Sequence, residues 1–190
     1  MGELIGGLLL FLGVHSVAIA APGWRDSMRQ RLGRNGWRIL YSLASIAGFV
    51  LLVRGYAAAR AAAVILYTPP LWLRHVVLLL MLPVFPLIFA AFLPGRIKAA
   101  MKHPLLAAVK LWAVAHLLAN GSAPDVVLFG SFLAWAVLDR ISLKRRAPQA
   151  VTMLPASRWN DAVAIVLGLA AYAAMVLWLH ARFIGVSPLA

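Results

Sequence analysis

An all-α, polytopic membrane bundle of about six transmembrane helices is the fold the sequence predicts, and three observations carry that reading. Hydrophobic residues fill 64% of 190 positions and charged residues only 12%, against roughly 45–50% and 25% in a soluble domain. Apolar surface on that scale leaves too little polar surface to face water, so the solvent of the chain is the lipid bilayer. The apolar residues also gather in six stretches, and the basic residues fall in the short connections between them. A single membrane-embedded domain spanning 1–190 is the expectation.

The first stretch, Leu4–Ala21, ends in small residues as a signal peptide does. An acid at Glu3 stands where a signal peptide carries lysine or arginine, and the basic cluster follows the apolar run; the segment is therefore expected to stay as a first helix. The second stretch is Ile39–Ala59. The third, Leu71–Leu93, contains Pro83 and Pro86 with Pro94 behind them, which predicts a kinked or irregular helix. The fourth and fifth, Pro104–Asn120 and Pro124–Leu138, are short for a bilayer and are joined by the turn Asn120-Gly121-Ser122-Ala123, so they are expected to form an α-helical hairpin. Asp161–Phe183 is the sixth. Arg145–Pro155 is the one polar connection long enough to move, and it is too short to fold as a domain.

Charge orients the bundle. Arg25, Arg29, Arg31, Arg34 and Arg38, then Arg96, Lys98 and Lys102, then Arg140, Lys144, Arg145, Arg146 and Arg158 lie in loops one, three and five, whereas the other side holds Arg54, Arg60, Arg74 and Arg182. The positive-inside rule then puts both termini on the periplasmic side of a bacterial inner membrane. The net charge of +13 forms no continuous stripe, which argues against nucleic acid as a partner. With no cysteine, disulfides, thiolate ligands and thiol catalysis are excluded, and metal chemistry must use histidine or carboxylate. No internal inverted repeat is evident, and the apolar helices do not advertise the polar cavity of a transporter.

An ionisable group inside hydrocarbon costs about 2.5–3.5 kcal/mol on insertion scales, so each needs a partner or a task. His15 lies inside the first stretch and His116 inside the fourth. A buried neutral imidazole is an iron ligand, a hydrogen-bonded packing residue or part of a proton path. With about 1.5 Å rise per residue, His15 falls roughly 4 Å to the cytoplasmic side of its helix centre and His116 roughly 6 Å to the other side, a spacing that a tilted haem b bound axially by both would accept. His103, before Pro104, is about 19 Å from His116 along one helix and belongs to a different site; it caps the helix, meets a propionate or faces headgroups. Lys110 either snorkels to the interface or pairs with an acid such as a propionate. Asn120, before Gly121, reads as a C-terminal cap or as a hydrogen bond to a ligand. Trp112 is placed to stack on a bound ring, whereas His75 and His180 sit at outer helix ends and read as interfacial.

Several of these residues occur in a pattern that resembles a known family. Phe-Leu-Gly-Val-His-Ser at His15, Gly-Trp-Arg at Gly36 to Arg38, and above all His103-Pro104 followed by Lys110-Leu-Trp-Ala-Val-Ala-His116-Leu-Leu-Ala-Asn-Gly121 are similar to the NnrU family of membrane proteins, which includes the plant and cyanobacterial 15-cis-zeta-carotene isomerase. The resemblance implies haem b held between the histidines that match His15 and His116, with His103 at a further family position. It implies either a redox-gated isomerase acting on a lipophilic polyene or, in the bacterial branch that this compact chain is closer to, a factor linked to denitrification and nitric oxide, served by a membrane redox partner. The rival expectation is a non-catalytic membrane assembly or regulatory protein without cofactor, in which the histidines are packing residues.

Overall fold

The computed structural model describes residues 1–146 and 154–189, and in them the chain is helical apart from turns and one isolated bridge, Ile65 to Ser122. The helices are α1 (Gly2–Ala20), α2 (Pro22–Arg60), α3 (Leu73–Met81), α4 (Val84–Ala90), α5 (Arg96–Met101), α6 (Pro104–Ala119), α7 (Ala123–Ser142), α8 (Asn160–Ala174) and α9 (His180–Ile184), with a π-helical turn, Met175–Leu179, joining the last two. Four runs are long and apolar enough to cross a membrane: Gly2–Ala20, Pro22–Arg60, Leu73–Ala90 and Asn160–Ile184, while α6 is apolar but shorter. Their large outward side chains, such as Leu43, Val166 and Leu177, are exposed as lipid-facing residues should be. The centre of the expected Arg145–Pro155 connection lies outside the described residues.

The contacts divide the chain into two compact units. Unit 1 is Met1–Tyr67 with Gly121–Ser142. Here α1 packs along α2, and α7 packs on both. Glycine makes that approach possible: a Cβ on Gly48 would come 2.7 Å from the Phe11 nitrogen, and one on Gly7 or Gly55 would run into the backbone of Leu52 or Leu4. Small residues at helix crossings are how membrane helices gain van der Waals contact where lipid is as apolar as the protein. The second apolar stretch is extended toward its N-terminus, because α2 includes the basic segment from Pro22 and breaks only in backbone angle at Gly33, where φ is 70°. A positive φ is ready to glycine and strained for any side chain.

After α2 the chain runs back to the start of α7. Leu66 and Tyr67 donate their N–H groups to the Gly121 carbonyl at 2.8 and 3.2 Å, and Ala123 donates to the Val64 carbonyl at 2.9 Å. Asp125, buried at 5% exposure, accepts hydrogen bonds from the Tyr56 hydroxyl, the Ser122 hydroxyl and the Ser122 N–H. The Asp125 carboxylate thus reaches back to the Ser122 N–H as in one half of a capping box at the start of α7, joined there by a tyrosine from α2.

Unit 2 is Thr68–Asn120 with Leu143–Ala190. The irregularity expected at the prolines is found: α3 ends and α4 begins across Leu82 and Pro83. Pro83 and Pro86 have no N–H to give to Leu79 and Leu82, so the ladder is interrupted there. α4 then packs on α6, where Val84, Leu87 and Ala108 bury one another, and on α8, where Ala90, Leu93 and Ala164 do the same. Gly168 lies directly on the Pro86 backbone. At the other end of α8, Asp161 accepts the Arg96 and Ile97 N–H groups at 2.8 and 3.1 Å, and the Asn160 amide donates to the Pro94 carbonyl at 2.8 Å. The hairpin expected of the fourth and fifth stretches organises neither unit. α6 takes its partners from α3 and α4 in unit 2, and α7 from α1 and α2 in unit 1.

Candidate functional site

α6 is entered through a strained turn. Lys102 has φ 58° and ψ −46°, and the His103 N–H reaches the Met101 carbonyl at 2.6 Å. This is a γ-turn of the rare, positive-φ kind. His103 then serves α6 through its carbonyl, which accepts the Ala107 N–H at 3.2 Å, with Pro104 in the first helical position. At the far end, Asn120 returns both its backbone N–H and its side-chain amide to the His116 carbonyl, at 2.9 and 3.0 Å.

His116 sits one turn before that cap. Its Nδ1 is 2.8 Å from the Trp112 carbonyl, and the Trp112 ring lies 5.3 Å from its own. On the other side of the unit, His180 brings its ring centre to 6.5 Å from that of His116, with 30° between the planes. The Nδ1 of His180 is 2.6 Å from the Val186 carbonyl. A carbonyl only accepts, so in both imidazoles Nδ1 carries the proton of this hydrogen bond. An imidazole fixed in this tautomer by a second hydrogen bond has the form a metal ligand takes.

Two local devices put His180 there. The π turn over Met175–Leu179 widens the helix just before it; such turns re-aim side chains and recur at functional sites. Beyond it, Gly185 ends α9 with φ 78°, which only glycine adopts readily, and the chain folds back so that the Val186 carbonyl meets the histidine.

Cavities of about 240 and 260 Å³ lie beside the pair and share Met81, Phe85, His116, Met175 and His180 in their walls. The first adds a polar rim of Arg74, Asn120, Tyr172 and Ser187. The second is apolar, closed by Val84, Ile88, Leu105 and Trp112. Tyr172 donates its hydroxyl to the Leu78 carbonyl at 2.9 Å, tying α8 to α3 across the first.

Of the residues singled out in the sequence, His116, Trp112 and Asn120 line these cavities, whereas His103 and Lys110 line neither. His15 belongs to unit 1. Its Nδ1 is 2.7 Å from the Phe11 carbonyl, and its ring is boxed by Phe11, Tyr41 and Trp135 at 4.3, 5.4 and 6.1 Å. His180, read in the sequence as interfacial, and Arg74, counted there as loop charge, also line the first cavity.

Among the described residues no group of three or more histidines and carboxylates could hold a bare metal ion. Two imidazoles are the set that suits an ion whose remaining ligands come with it in a macrocycle. No curated protein and no solved structure matches the chain. The family model described as NnrU protein matches residues 3–188, nearly the whole length, and the chain belongs to the NnrU family of membrane proteins.

Proposed function

We propose that this chain is a haem b membrane protein in which His116 and His180 hold the iron from its two sides. The close approach of the two imidazoles carries the reading. With about 2 Å from an imidazole nitrogen to a bound transition metal and about 1.1 Å from that nitrogen to its ring centre, two ligands on opposite sides of one ion have centres about 6 Å apart, close to the observed 6.5 Å. The walls support it as well: an apolar slot with one polar rim matches a macrocycle that is greasy on one edge and carries two carboxylates on the other.

The residues of the chain have separable tasks. The Trp112 and Val186 carbonyls hold the Nδ1 protons, which fixes ring orientation and makes Nε2 a better donor. Met81, Phe85 and Ile88 exclude water. Bound there, haem would supply redox-active iron able to take a small ligand such as nitric oxide or to polarise a double bond. On that chemistry the protein acts either as a nitric-oxide-linked factor of denitrification or as a redox-gated isomerase of a lipophilic polyene, with a membrane redox partner supplying electrons. Loop charge supports a bacterial inner membrane with both termini periplasmic, so that the site lies toward the periplasmic ends of α6 and α8.

The resemblance read from the sequence pairs His116 with His15 instead, and His15 carries the same tautomer. His116 is common to both pairings. The direct experiment is a pyridine haemochrome assay and oxidised and reduced spectra of detergent-purified protein from haem-replete cells. One b-type haem per chain with sharp reduced bands is the expected result. A colourless, folded protein would refute the proposal and favour a cofactor-free assembly or regulatory role.

A further inference from the structure

We infer that Arg74 is the carboxylate anchor of this site, binding the haem propionates at the polar rim with the Ser187 hydroxyl beside it. The inference rests on the haem reading and assigns one edge of the macrocycle to one end of the slot. Among the described residues lining the two cavities, Arg74 is the one with a formal charge. Arg74 is exposed, so its guanidinium is open to an anion that enters the cavity, and the unit offers almost none in competition. Asp161 is the single acidic side chain in unit 2, and it is committed to the Arg96 and Ile97 N–H groups. No carboxylate among the described residues lies within ion-pair distance of Arg74.

Ser187 adds a second donor. Its oxygen accepts the Leu189 N–H at 3.2 Å, which leaves the hydroxyl proton to give. The carbonyl next to it in the chain, that of Val186, already holds His180. One short segment thus serves both the ligand side chain and the rim. The planar fork of arginine pairs two oxygens of a carboxylate at once, which a lysine does not reproduce. The other cavity has no charged or donor-rich edge and takes the apolar side of the ring.

The test loads haem-depleted protein in detergent with haemin or with haemin dimethyl ester, whose two carboxylates are blocked. Wild-type protein is expected to retain haemin at least about tenfold more tightly than the ester. Arg74→Gln is expected to remove most of that preference while the positions of the low-spin bands, which report the two imidazoles, stay unchanged, and to lower the midpoint potential because a cation near the iron is lost. Arg74→Lys should restore the potential more fully than the preference. Equal retention of both haems by wild-type protein would overturn the inference without need of any variant, as would an Arg74→Gln protein with undiminished preference; either leaves the haem assignment standing. Failure of wild-type protein to take up either compound would overturn both.

Discussion

The imidazoles of His116 and His180 lie with ring centres 6.5 Å apart and planes 30° from parallel, and each gives its Nδ1 proton to a backbone carbonyl. The two residues are 64 positions apart in the chain, on α6 and at the start of α9. Their meeting depends on the π turn before His180. Inserting one alanine after Leu177, whose side chain is 72% exposed, would carry His180 about 100° further round the helix. Haem is then expected to be lost while the circular dichroism of the protein stays helical. Unchanged haem content in the insertion variant would show that the direction of His180 has no part in the site.

Gly185 is the second support. Its φ of 78° returns the chain so that Val186 meets His180. A valine there should cost about 1–2 kcal/mol, since a side chain in the left-handed region is strained. The expected signs are a lower midpoint of thermal denaturation and faster loss of haem to an acceptor protein.

In unit 1 the close approach of α1 to α2 leaves no room at Gly7 or Gly55. Gly55→Leu should force the helices apart and cost about 3 kcal/mol or more, against less than about 1 kcal/mol for leucine at Gly13, beside which there is open space. Unfolding in mixed detergent with increasing dodecyl sulfate separates the two.

The Asp125 cluster gives a graded series. Tyr56→Phe removes one hydrogen bond and should cost about 1 kcal/mol, whereas Asp125→Ala strands three buried or half-buried donors and should cost about 3 kcal/mol. Equal effects of the two, read by the same unfolding assay, would contradict the account of the aspartate as the hub.

Lys102 predicts the opposite sign. Replacing a residue at φ 58° by glycine relieves the strain of the turn before His103, and Lys102→Gly is expected to raise stability by about 1 kcal/mol. A lowered denaturation midpoint would mean that the lysine side chain outweighs the backbone.

Much of the fold was readable because lipid forces a simple code. The apolar runs became helices, the second of them extended back to Pro22, and Pro83 and Pro86 broke the third run for the reason a missing N–H dictates. What escaped was partner choice. Asn120-Gly121 reads as a tight turn, and nothing local says that α6 packs on α3 and α4 while α7 packs on α1 and α2. The same gap hid half of the site. His116 stands out in mid-helix, but His180 lies near a helix end, where solvation makes a histidine ordinary, and a π turn leaves no mark on a period of 3.6. Arg74 was counted as loop charge for the same reason: only the fold shows that it rims a cavity.

The proposed pairing of His116 with His180 on a haem is tested most directly by the reduced-minus-oxidised spectrum of wild-type protein beside His116→Ala, His180→Ala and His15→Ala. The prediction is a low-spin b-type spectrum in wild type and in His15→Ala, with that spectrum lost or turned high-spin in the other two. A His180→Ala protein that keeps the wild-type spectrum, with its loss in His15→Ala, would contradict the pairing of His116 with His180.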